Sequence, residues 1–262
     1  LTTAAYGPPT RAAHISRLRA LGASAGASRP SDGPQPDARL VLELQAAARA
    51  RVAAPPALHL ALSRRPLDDR ELATSAWALA ELRARASPLW PAAEGRLADA
   101  WRALPPPRAT CTLLWAFARV RRQAPARLAV TAHAAARPGY SARGLANALW
   151  ALARLGVPLR GADVAAAWSA AGRMRPQEIS NVLWALGAQD APCEASRRFF
   201  QDVTLPPPAA LDGQHVANIL WAFASASVRR AGVLRDLTSQ ALARDALTLE
   251  AVAAIAWALE TP

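Results

Sequence analysis

The 262-residue chain carries 31 basic and 19 acidic side chains, a formal net charge of +12, and 52% of its residues are hydrophobic. That apolar content excludes a disordered chain despite 22 prolines, and two cysteines, Cys111 and Cys193, exclude a disulfide framework and a four-thiolate zinc site. No run reaches the roughly 18 apolar residues that a spanning helix needs, so a soluble protein with a substantial core is expected.

Every basic residue is an arginine; the chain contains no lysine. Residues 1–99 hold 13 arginines and 9 acids, residues 100–162 hold 10 arginines and no acid, and residues 163–262 hold 8 arginines and 10 acids. A solvated face ordinarily mixes both signs, so the acid-free block reads as a surface for a polyanion. Arginine suits that task, because its planar, permanently charged fork matches phosphate and stacks on bases.

Along the chain, residues 1–36 are serine- and arginine-bearing with Asp32 as their one acid, which predicts a basic arm or the remnant of a transit peptide. The sequence begins without methionine, so a processed or incomplete chain is expected. Residues 37–66 have helical patterns and are predicted to form a degenerate leading repeat. From residue 67 to 262 a tryptophan phrase recurs: SAWALAEL at Trp77, LLWAFARV at Trp115, ALWALARL at Trp150, VLWALGAQ at Trp184, ILWAFASA at Trp221 and IAWALE at Trp257. The spacings are 38, 35, 34, 37 and 36 residues, and alanine follows the tryptophan each time. Such recurrence marks a repeat architecture.

Each phrase is predicted to be a helix. In the third copy Leu145, Leu149, Leu152 and Leu155 share one face while Ala146, Trp150 and Ala153 form a second apolar stripe, and Gly156 and Pro158 stop the run. A helix apolar on two sides belongs between neighbours, which assigns the six tryptophans to the core rather than to base stacking. Between phrases lie weaker amphipathic segments at Trp90–Leu104, Ala126–Arg137, Asp163–Arg173, Cys193–Val203 and Val233–Arg244, separated by prolines. Their aromatics Trp90, Trp101, Trp168, Phe199 and Phe200 are also expected in the core. Two helices per roughly 36 residues predict an all-α fold, an α-solenoid of tandem helix-turn-helix repeats.

The phrases GLANALWALARLG (Gly144–Gly156), EISNVLWALG (Glu178–Gly187) and HVANILWAFA (His215–Ala224) resemble octotricopeptide repeats, and are similar to the helical repeats of FAST-kinase-like and RAP-domain proteins. The resemblance covers residues 67–262. It implies RNA binding in a mitochondrion or chloroplast, in transcript stability, processing or translation, or within an organellar ribosome. Six repeats reading one base each would distinguish only about 4,000 hexamers, weak addressing for a lone factor. A structural part of a mitochondrial ribosome that holds an rRNA segment is therefore the favoured expectation. A free mRNA factor and a protein-interaction scaffold are the alternatives, and the chloroplast is the alternative compartment.

Expected RNA contacts are Arg102, Arg108, Arg119, Arg121, Arg122, Arg127, Arg143, Arg154 and Arg160. Asn147, Asn181 and Asn218, each three residues before a tryptophan, join them, and Arg119 and Arg154 lie on the same helical face. This polar ladder either lines an RNA surface or holds the register between repeats by hydrogen bonds. Enzymatic chemistry finds no motif: His14, His59, His133 and His215 lack metal-ligand spacing, no glycine loop cradles a phosphate, and Cys111 is expected to be buried and inert. No cofactor, metal, membrane or small-molecule substrate is expected. RNA and neighbouring proteins of a ribonucleoprotein are.

Overall fold

The structure, a computed structural model, describes residues 36–99, 105–124, 126–133, 140–190, 193–228, 230–242 and 256. Its described residues form helices and the turns and loops between them and include no strand, so the all-α class and the helix-pair repeat hold. The chain divides into two compact units, Leu1–Ala103 and Leu104–Pro262.

The first unit contains α1 (Pro36–Ala50), α2 (Pro56–Ser63), α3 (Asp69–Glu81) and α4 (Leu89–Asp99). Helix α1 packs on α3 and α2 packs on α4, with each helix also touching its partner within the pair. Trp90 is fully buried here, and its indole N–H donates to the carbonyl of Ala84 at 2.9 Å.

The second unit contains α5 (Pro107–Arg119), α6 (Ala126–His133), α7 (Ala142–Arg154), α8 (Gly161–Ala170), α9 (Pro176–Gly187), α10 (Glu194–Asp202), α11 (Gly213–Ser225) and α12 (Ala231–Leu242). The phrase helices α5, α7, α9 and α11 pack in succession. The intervening helices lie against them: α6 on α5 and α7, α8 on α7, and α12 on α11, while α8 and α10 pack on each other.

Local sequence explains where these helices start and stop. Asp68 Oδ1 accepts from the Glu71 N–H at 2.7 Å while Glu71 accepts from the Asp68 N–H at 3.0 Å, a reciprocal cap that opens α3. Asp212 and His215 cap α11 in the same reciprocal sense, Ser141 Oγ caps α7 one way by accepting from the Gly144 N–H, and Pro56, Pro107 and Pro176 occupy first-turn positions that need no donor. Four phrase helices end alike. The residue after the C-cap turns left-handed, at Arg83 (φ 53°), Arg121 (φ 56°), Gly156 (φ 72°) and Ser227 (φ 53°). The next N–H then bonds back to the carbonyl five residues earlier, as Arg122 does to Phe117 and Val157 to Leu152. Gly156 thus stops α7 as expected.

The core of the second unit is built from the flanks of the tryptophans. Leu149, Val182, Leu183, Ile219, Phe199, Phe200 and Phe223 are at most 2% exposed. Phe200 of α10 meets Phe223 of α11 edge to face, with centroids 5.1 Å apart. Burial of each such side chain stabilises the fold by roughly 1.5–3 kcal/mol. Of the other aromatics expected inside, Phe199 is buried but Trp168 is 47% exposed, resting edge-on against Phe199 at 5.6 Å. Its neighbours explain the correction: Val164 and Ala167 take the inward positions of α8, leaving Trp168 at the border. Trp101 and Trp257 lie outside the described residues. Among the described residues no helix is long and apolar enough to cross a membrane.

Candidate nucleic-acid interface

Positions seven and three residues before each tryptophan, the tryptophan itself, and the position four after it fall on one stripe of a helix. On α5 these are Arg108, Thr112, Trp115 and Arg119; on α7, Arg143, Asn147, Trp150 and Arg154. On α9 they are Gln177, Asn181, Trp184 and Ala188; on α11, Gln214, Asn218, Trp221 and Ser225. Because these helices pack in succession, each position becomes a lane running across the second unit. The outermost lane of Arg108, Arg143, Gln177 and Gln214 is exposed, and the asparagine and tryptophan lanes are half-buried. In the first unit α3 carries Arg70, Thr74, Trp77 and the exposed Glu81 at the same positions.

Trp77, Trp115, Trp150, Trp184 and Trp221 are therefore half-buried rather than core, contrary to the expectation from their apolar neighbours. In α9 the core contacts fall to Val182, Leu183, Ala185 and Leu186, all fully buried, while Trp184 stands at the shoulder of the apolar stripe beside polar Asn181. The other phrase helices of the second unit repeat this arrangement. Trp150 and Trp184 are tilted at 42° with centroids 6.2 Å apart; Trp184 and Trp221 stack at 5.5 Å and 22°. The Arg154 guanidinium lies 6.0 Å from the Trp184 ring centroid, a cation–π contact that extends the column with charge.

Within the second unit the arginine lanes are confined to α5 and α7. Arg108, Arg119, Arg121, Arg143 and Arg154 are exposed, and none makes an ion pair among the described residues. Partial burial, followed by the neighbouring charges of Arg121 and Arg119, pulls the Arg154 guanidinium below its ordinary pKa. Three cations thus crowd one place, in an arrangement that an anion would relieve. Asp163, the first acid after the acid-free block, does not supply it. Its side chain is 2% exposed and is held by His133 Nδ1 at 2.8 Å and by the Arg160 N–H at 2.8 Å, which starts α8.

The remaining expected contacts divide. Arg160 is exposed at the start of α8 and Arg122 is half-buried. Arg127 belongs to α6, but its side chain lies outside the described residues, as does the whole of Arg102. Asn147 is half-buried without a hydrogen bond among the described residues. Asn181 Oδ1 accepts from Gln177 Nε2 and Asn218 Oδ1 from Gln214 Nε2, both at 2.9 Å. Thr112 instead folds back onto the Arg108 carbonyl at 2.9 Å.

Sequence reasoning passed over Gln177 and Gln214, although the position seven before the tryptophan is polar in every copy. It also took His133 and His215 as isolated. His215 is buried, with Nε2 3.0 Å from Gln177 Oε1, a link between α11 and α9. Cys111 is buried, and its thiol is pushed up to about 12 by that burial, which makes it a poor nucleophile. Among the described residues no group of histidine, cysteine and acidic side chains could hold a metal ion. No protein-family model matches the chain, and no curated protein matches it.

Proposed function

We propose that this protein binds RNA on the laned face of α5, α7, α9 and α11, as a structural component of an organellar ribonucleoprotein. The observation that carries this reading is one juxtaposition. An uncompensated cluster of Arg119, Arg121 and Arg154 abuts a column of half-buried indoles in which Trp150 is tilted against Trp184 and Trp184 stacks on Trp221. Guanidinium groups without acids are suited to the phosphates of a single strand, and π-faces beside them are suited to its bases. A bare basic patch would serve any polyanion; the aromatic column beside it favours nucleic acid. The likeness of the phrases to octotricopeptide repeats supports an organelle, and this reading takes an rRNA segment of the mitochondrial ribosome as the RNA in preference to an individual mRNA.

Ultraviolet crosslinking in intact organelles, followed by sequencing of attached RNA, tests this directly. Crosslinks concentrated on one rRNA segment are the expected result. Crosslinks to one mRNA would make the protein a transcript factor. No RNA above background would overturn the proposal and leave a protein-binding scaffold, in which the arginine cluster meets acidic partners.

A further inference from the structure

The two amide pairs on α9 and α11 look alike in sequence but are not equivalent in hydrogen bonding. The Asp212 backbone N–H lies 3.2 Å from His215 Nδ1 and can only donate, so Nδ1 accepts and the ring proton sits on Nε2. The Asp212 carboxylate, also 3.2 Å from Nδ1, takes the His215 backbone N–H at 2.8 Å. Nε2–H then donates to Gln177 Oε1 at 3.0 Å, which turns the Gln177 amide so that its Nε2 donates to Asn181 Oδ1 at 2.9 Å. A backbone N–H, which cannot be reversed, thereby sets the orientation of two side-chain amides on the neighbouring helix. Charging the imidazole would leave Nε2 a donor, so the direction of the relay is the same in both states.

At the end of this relay each amide oxygen already accepts one hydrogen bond, while among the described residues the Asn181 Nδ2 hydrogens are not engaged. The Asn181 rung therefore offers donors. On α11 Gln214 donates to Asn218 in the same way, but no imidazole holds Gln214 Oε1 among the described residues, so that rung offers an acceptor as well. Resting on the RNA-binding reading above, we propose that the Asn181 rung is a base-selective subsite for guanine in single-stranded RNA. A donor pair matches the adjacent acceptors N7 and O6 of guanine, whereas adenine sets an amino group beside its N7. Selectivity at this one rung is compatible with general phosphate binding elsewhere on the face, because the two involve different side chains.

The test uses the full chain and short oligouridylates carrying a central run of guanosine, adenosine, cytidine or 7-deazaguanosine. The guanosine RNA should bind about tenfold tighter than the adenosine RNA, and removal of N7 should erase that advantage. In Gln177→Glu the carboxylate accepts from Asn181 Nδ2 and turns Oδ1 outward, so the preference should pass to adenosine. Asn181→Ala should bind all four RNAs alike while keeping its salt dependence. Equal wild-type affinities for guanosine and adenosine, or an unchanged preference in Gln177→Glu, would overturn the subsite while leaving RNA binding intact. Failure to bind any of the RNAs would overturn the RNA-binding reading and the subsite with it.

Discussion

Helices α5 and α7 and helices α9 and α11 present the same four lanes with opposite chemistry. The first pair frames each tryptophan with arginine on both sides, Arg108 and Arg119 on α5, Arg143 and Arg154 on α7. The second pair puts glutamine on one side and alanine or serine on the other, with asparagine amides held in place by hydrogen bonds. All four are helices of 12 or 13 residues that pack in succession, so the difference comes from side chains on one face. A repeat can thus keep its core positions and reassign its surface lane by lane. Here one half is suited to phosphates and the other to base edges.

The largest expected effect strikes the first half. Arg119→Glu with Arg154→Glu replaces two cations by two anions beside Arg121, and RNA affinity should fall about a hundredfold at moderate salt. The thermal midpoint should stay within a few degrees, because both side chains are exposed and neither has an ion pair among the described residues. Equal affinity in this variant would move the binding surface elsewhere.

Next comes the packing that distinguishes the second half. A Cβ on Gly187 would sit 2.8 Å from the Ala222 Cα and 2.9 Å from its carbonyl oxygen, both backbone atoms that cannot turn aside. The corresponding positions on α5 and α7 are Ala118 and Ala153, so the glycine marks the close approach of α9 to α11. Gly187→Ala should lose about 2 kcal/mol in denaturant unfolding, even though alanine favours the helix by about 1 kcal/mol. The separation should also disturb the Trp184–Trp221 stack, which near-ultraviolet circular dichroism would register.

Transplanting the first half onto the second is a milder change. Ala188→Arg with Ser225→Arg extends the basic lane across α9 and α11, and should tighten RNA binding severalfold and steepen its salt dependence. A slope unchanged by the transplant would mean that the strand does not reach those helices.

The helices, their order and the stop at Gly156 were legible in the sequence because they depend on neighbours a few residues away. Arg119 and Arg154 were legible because an acid-free block and a helical period suffice to place them. The burial of the tryptophans was misread, because periodicity tells which residues flank the core but not where its edge falls; Asn181 and Asn218 on the same stripe were the available hint. The contact of His215 with Gln177 depends on two repeats set in register, information that no single helix contains. The pairing of His133 with Asp163 is of the same kind: a buried acid spent on capping α8 reads in sequence as a free charge.

The smallest expected effect concerns the left-handed turn that closes α3, α5, α7 and α11. Glycine fills it on α7, but α5 places Arg121 there at φ 56°, a conformation that costs a residue with a Cβ about 1 kcal/mol or more. Arg121→Gly removes that cost, partly offset by the greater freedom of glycine in the unfolded chain, so stability should rise by about 0.5–1 kcal/mol. The same change withdraws one of the two cations beside Arg154. RNA affinity should fall only a fewfold, and the slope of log affinity against log salt should shrink by about 0.7, the contribution of one phosphate contact on a single strand. The two readouts should move in opposite directions. Stabilisation without loss of affinity would make Arg121 a helix-closing residue that owes nothing to RNA, whereas the paired outcome would mean that this helix end keeps a strained arginine for the charge it brings.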